Sequence, residues 1–119
     1  MSKVNPYQRT QAVTETPRDF ELRVLRTVSF SIKKAVEESD KLALIRAVTN
    51  NYLIWQTFLY DVASDDNKLP RDLRRSIAIV AKSVMKEIDD NMNGDLDVDF
   101  LLSINQTVIE GLAAAAQSR

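Results

Sequence analysis

Residues 40–63 read DKLALIRAVTNNYLIWQTFLYDVA, and the fold class turns on how this stretch is understood. Ile45, Val48, Tyr52, Trp55, Leu59 and Val62 follow one another at alternating steps of three and four. That spacing returns to one face of an α-helix, whereas a half-buried strand would alternate at every second residue. The stretch is therefore a long helix, the most apolar in the chain. Leu42, Leu53 and Tyr60 point away from its Trp55 face, so it is apolar on nearly all sides. A helix of that kind is either central in a bundle or has a second surface to cover.

The flanks carry the same period. Upstream, Thr16, Pro17 and Asp19 make a helix start, with a hydroxyl cap, a proline in the first turn and an acid three residues after the cap. Leu22, Leu25, Val28, Ile32, Ala35 and Val36 form the stripe that follows, and Ser39 or Asp40 ends this helix and caps the next. Downstream, ASDDNKLP (63–70) breaks the pattern and Pro70 is expected in the first turn of a third helix. Leu69, Leu73, Ile77, Val80, Val84 and Ile88 make its inner face, while Arg71, Arg75, Lys82 and Lys86 project from the opposite side. A fourth helix runs from a cap at Asp97 to the alanines at 113–116, with Val98, Leu101, Leu102, Val108, Ile109 and Leu112 as its stripe. The expected architecture is all-α: a compact bundle of about four amphipathic helices, antiparallel between neighbours. Residues 1–16 read as a non-helical arm, mobile or laid on the surface, 17–116 as a single helical domain and 117–119 as a tail. Periodicity does not decide whether the last helix packs on the other three.

Composition removes much chemistry. The 119 residues contain no Cys and no His, so thiol and imidazole chemistry and the usual zinc, iron and copper ligand sets are out of reach, as is any disulfide. Sixteen basic residues against seventeen acidic ones give a net charge of −1, without the basic excess of a nucleic-acid binder. There is no glycine-rich phosphate loop and no G-x-S-x-G, and the acids fall in expected loops, helix starts or polar faces. The expectation is a protein that is not an enzyme and takes no cofactor or metal. No segment reads as a signal peptide or a membrane span, and the expected setting is cytoplasmic.

One motif needs to be tested separately. DDNMNGDLDVDF, residues 89–100, puts Asp89, Asn91, Asn93 and Gly94 where an EF-hand loop places three oxygen ligands and its turn glycine. The twelfth position, which must bring a bidentate Glu, is Phe100. An aromatic ring supplies no oxygen, and Asp99 is one place early. Asp95, Asp97 and Asp99 are better read as acids at the positive start of the fourth helix.

Partner-binding candidates come from what a single core leaves over. Phe20 and Phe30 point away from the Leu25 face of the first helix, as Leu53 and Tyr60 do on the second. Exposed apolar surface of this kind marks partner sites, unless the arm covers it. Trp55 sits mid-stripe, where a tryptophan belongs to the core. Asn105 falls inside an apolar stripe and needs hydrogen-bond partners if buried. It either ties the fourth helix to the rest of the bundle or meets the backbone of a bound partner.

The order of features also resembles a known family. TQAVTETPRDFELRVL (10–25), NNYLIWQTFLYDVASDDNKLPRDLRRSI (50–77) and LLSINQTVIEGL (101–112) are similar to the FlaF family, flagellar biosynthesis regulators of bacteria. The likeness runs from about Asn5 to Leu112. It rests on Thr14-Glu15 with Pro17-Arg18, the segment Leu53–Trp55 with Asp61, Asn67 with Leu69-Pro70 and Leu73-Arg74, and Ile104-Asn105 with Gly111-Leu112. The resemblance implies a cytoplasmic factor for flagellin production and export, associated with flagellin and acting beside the regulator FlbT. On that basis the expected role is an export chaperone or escort for flagellin. Phe20, Phe30, Leu53 and Tyr60 are its apolar contacts, and Arg74 and Asn105 its polar ones. The alternative is a regulator of flagellin translation working through FlbT, with no direct nucleic-acid contact expected. Oligomeric state is open on the sequence.

Overall fold

The computed structural model describes residues 15–117, with side chains described through 115. Four helices run in chain order: α1 (Pro17–Glu37), α2 (Lys41–Ala63), α3 (Arg71–Asn91) and α4 (Val98–Gln117). Most of the arm expected at 1–16 lies outside the described residues, as do residues 118 and 119. Gln117, expected in the tail, is the last residue of α4.

Local chemistry fixes the helix ends. The Thr16 hydroxyl accepts from the Asp19 amide at 3.0 Å, and Pro17 opens α1. At the other end Ser39 takes φ 51°, the left-handed region. The Ser39 amide reaches the Val36 carbonyl and the Asp40 amide the Ala35 carbonyl, the paired bonds of a Schellman cap. Asp40 then accepts from the Ala43 amide at 3.0 Å, so one helix ends and the next is capped within three residues. Pro70 stands one place earlier than expected, as the N-cap of α3, and the helix starts at Arg71. Asp97 caps α4 through its bond from the Phe100 amide, and Gly94 at φ 144° makes the preceding turn.

The α2 helix packs against α1 on one side and α3 on the other, while α4 lies on α1 and more lightly on α3. That leaves α2 and α4 diagonally opposed across one interior, and the fourth helix closes the bundle. Trp55, Leu25, Ile32, Val48, Val84, Leu101 and Leu112 are fully buried, each contributing about 1.5–3 kcal/mol by removal from water. Trp55 meets the edge of Phe58 at a centroid separation of 5.6 Å.

The inner face of α2 is rotated from the expected one. Its buried residues are Ala47, Val48, Asn51, Trp55, Phe58 and Val62. Tyr52 and Leu59 are half-buried towards α3, and Ile45 is exposed. The reason is that α2 touches α1, α3 and the central interior at once, so its covered arc is wider than one stripe and centred elsewhere. Val36 is also exposed, because Ala35 ends the α1 stripe and Val36 lies a further 100° round the helix.

Candidate partner-binding surface

The interior holds a polar knot. Asn105 of α4 is fully buried, and its Oδ1 accepts from the Trp55 indole N–H at 2.9 Å. Its Nδ2 donates to Asn51 Oδ1 at 2.8 Å and to the Ser29 hydroxyl at 3.0 Å. These bonds reach α2 across the bundle and α1 beside it, and they fix which end of the Asn105 amide is which. Asn51 is also fully buried, and its Nδ2 has no protein acceptor. Asn105 is therefore not a partner contact: no foreign backbone reaches an amide with zero exposure and all three of its bonds made inside. Its role is to tie α4 to α1 and α2.

Arg74 is half withdrawn in a similar way. Its Nε donates to the Val62 carbonyl at 3.1 Å and its Nη2 to the Ser64 carbonyl at 3.3 Å. These acceptors are carbonyls at the C-terminal end of α2 that have no helical partner of their own, so the guanidinium works first as a clasp between α2 and α3. Asn67 helps at the same corner, donating to the Asp61 carbonyl while its Oδ1 accepts from the Leu69 amide.

The four apolar candidates all stand in solvent. Phe20 is 49% exposed, Phe30 65%, Leu53 52% and Tyr60 75%. Leu53 forms one edge of a groove of about 320 Å³ along the α1–α2 seam, whose other walls include Val24, Val28 and Ile54. On α1 the groove residues Arg23 to Ser31 centre on a direction about 10° from Phe20 and about 90° from Phe30. Tyr60 lies two turns beyond Leu53 on the same ridge of α2. Because α1 and α2 are antiparallel, Phe20 and Tyr60 fall at the same end. The fold thus places Phe20, Leu53 and Tyr60 along one seam and sets Phe30 on a neighbouring face.

Arg23 borders that groove at its Phe20 end. Its guanidinium lies 5.1 Å from the Phe20 ring centroid and bonds both Glu15 oxygens, at 2.8 and 3.1 Å. The bond from Arg23 holds the Glu15 carboxyl below the usual carboxylate range. Beside it, at the corner of α1 and the end of α2, Glu21 pairs with Arg18 and lies close to Asp61. Burial there, with Asp61 adding to it, pushes the Glu21 carboxyl up despite the arginine. The sequence reading placed the acids in loops, at helix starts or on polar faces; the approach of the α2 end to the start of α1 half-closes the corner around this one.

The stretch 89–100 spans the end of α3, a turn and the start of α4. Asp89 accepts from the Tyr52 hydroxyl at 3.3 Å, and Glu87 Oε2 accepts from Asn91 and from the Asp97 amide. Asp97 thus caps the segment's own helix, while Asp89 ties it to α2 and Glu87 bridges the turn. Among the described residues no group of three or more acids is gathered as a metal site, and no helix is long and apolar enough to cross a membrane.

Some exposed apolar residues escaped the sequence reading. Ile45 stands out beside Leu42 on α2, and Ile79 on α3. For Ile79 the signal was present, since it falls between Arg75 and Lys82 on the charged side of its helix.

Comparison with known proteins supplies the remaining context. No curated protein and no solved structure matched the chain. A family model described as flagellar protein FlaF matches residues 3–112, nearly the whole sequence, and the chain belongs to that family.

Proposed function

We propose that this protein is a cytoplasmic escort for flagellin, supporting its synthesis and secretion by receiving one of its amphipathic helices in the α1–α2 groove. The observation that carries the reading is the exposure of Phe20, Leu53 and Tyr60, all about half exposed or more, beside the α1–α2 groove that Leu53 lines. Apolar side chains so placed give a partner helix anchors at intervals of one to two turns, the helix-in-groove mode of recognition. Membership of a flagellar family supports the choice of partner. An unassembled flagellin presents amphipathic terminal helices whose stripes would otherwise self-associate, and a groove of this kind covers one.

The test is co-expression with flagellin and FlbT followed by affinity purification. Leu53→Asp with Tyr60→Asp is expected to abolish co-purification while the helical circular dichroism spectrum stays unchanged. Retention of flagellin by the folded double variant overturns the assignment of this surface. Loss of FlbT with flagellin retained would instead place the protein's action on the regulatory side.

A further inference from the structure

We propose that the opposite seam, between α2 and α3, is a second docking site, which takes an acidic amphipathic helix of a partner protein. The groove there encloses about 580 Å³, with Leu59 and Val62 in its wall and Arg71, Arg74, Arg75 and Lys82 around it. No carboxylate lines it. Among the described residues Arg71, Arg75 and Lys82 have no acidic partner; the ion pairs of the fold are made by Arg18, Arg23 and Lys86. In a chain of net charge −1, four cations around one groove are a strongly uneven distribution.

Arg71 and Arg75 stand four residues apart on one helix, a spacing at which like charges repel. Among the described residues no acid, the nearby Asp72 included, forms an ion pair with either arginine, and an anionic partner offsets their repulsion. Arg71, Arg75 and Lys82 also form a line, since steps of four and seven return to nearly one direction, and it extends about 16 Å along α3. Acidic residues spaced by one and two turns on a docked helix match that line. Arg74 is already held by its two carbonyl bonds, so its charge is in place before any partner arrives.

The aliphatic wall decides the class of partner. Leu59 and Val62 suit the apolar stripe of a helix, and no aromatic ring lines the groove on which a nucleic-acid base could stack. An anion with no apolar face would use the cations and leave the wall wet. The site lies on the other side of α2 from the Leu53 groove and does not depend on the flagellin reading.

A designed amphipathic peptide, a leucine stripe bordered by glutamates, serves as the probe in fluorescence anisotropy against the full chain. Its lysine-for-glutamate counterpart and a single-stranded RNA are the comparators. The glutamate peptide is expected to bind, and to weaken as salt is raised through the range that screens exposed charges. Arg75→Glu with Lys82→Glu is expected to weaken it about tenfold or more, two attractive contacts having become repulsive. Arg75→Gln with Lys82→Gln gives a smaller loss in the same direction, and serves if the reversal disturbs folding. Leu53→Asp with Tyr60→Asp leaves this binding intact. Equal binding of the lysine peptide, unchanged binding by either charge variant, or tighter binding of the RNA overturns the proposal.

Discussion

Replacing Asn105 by leucine tests the central structural assignment with little change in shape. Leucine keeps the branch at Cγ, so the site stays filled and the loss is mainly of hydrogen bonding. Three bonds vanish, to the Trp55 indole, Asn51 and Ser29. The Ser29 hydroxyl sits at the edge of burial and can turn to a backbone carbonyl. The Trp55 N–H and the Asn51 carbonyl cannot escape, because both side chains are fully buried. A buried polar group left without a partner costs about 1–3 kcal/mol, so two give about 2–6 kcal/mol. Asn51 suffers most, since its Nδ2 already lacks a protein acceptor. Against a total stability of about 5–15 kcal/mol for a domain of this kind, the loss is a large share. Urea unfolding followed by circular dichroism should show a lower midpoint with an unchanged slope. Trp55→Phe should cost less on the leucine background than in the parent, because the indole donor it removes is already stranded there. A leucine variant within about 1 kcal/mol of the parent would refute the reasoning, and so would strictly additive losses in the double variant.

Three other outcomes follow from the helix ends and the one shifted corner. Glu21 holds its proton more tightly in the folded protein than in the unfolded chain, so its contribution is fully present below the ordinary carboxylate value and stability falls as pH rises through the folded pKa. Glu21→Gln should flatten that part of the stability profile measured by urea midpoints against pH, and an unchanged slope would count against it. Ser39 occupies the left-handed region, where a β-branched residue is strongly disfavoured. Ser39→Val is expected to cost about 1–2 kcal/mol, whereas Ser39→Gly should be neutral or slightly stabilising by thermal melting. Asp40→Ala removes the cap of α2 and should cost about 1 kcal/mol, read as a lower melting temperature that Asp40→Ser largely restores.

Much of the fold was legible because helix signals are local. The Thr16-Pro17-Asp19 start, the Asp40 and Asp97 caps and the four apolar periods all lie within a few residues of what they specify. The orientation of α2 was not legible, because it depends on three neighbours at once. Counting steps from Ile45 selects a stripe about a sixth of a turn from the buried one, sharing Val48, Trp55 and Val62 with it but passing over Ala47, Asn51 and Phe58. The candidate surface divides in the same way. Phe20, Phe30, Leu53 and Tyr60 were recognisable as surplus, since each lies off its own helix's stripe. Their grouping was not, because Phe30 parts from the others only when α1 and α2 are set side by side. For Asn105 the sequence leaves open a tie within the bundle or a partner contact, and for Arg74 the resemblance implies a partner contact; the bonds both side chains make lie within the chain, at sequence separations of 54 and 12 residues.

The buried knot and the exposed ridge are linked through the rotation of α2. That helix is apolar nearly all round, so burial alone discriminates weakly between one rotation and another: turning it would bury Leu53 and Tyr60 and expose other apolar residues instead. Polar pairing discriminates sharply. Trp55 must face Asn105 to satisfy its indole, and Asn51 must face the same amide. With Trp55 pinned inward, Leu53 and Tyr60 stand about 140–160° round the helix and can only point out. A large exposed apolar ridge is a liability in a solitary domain, and two of the three hydrogen bonds that hold α4 in place, those of Trp55 and Asn51, also keep that ridge from being absorbed into the core. The interior polar groups therefore do what packing alone would not: they hold one apolar face of an otherwise indifferent helix out in solvent.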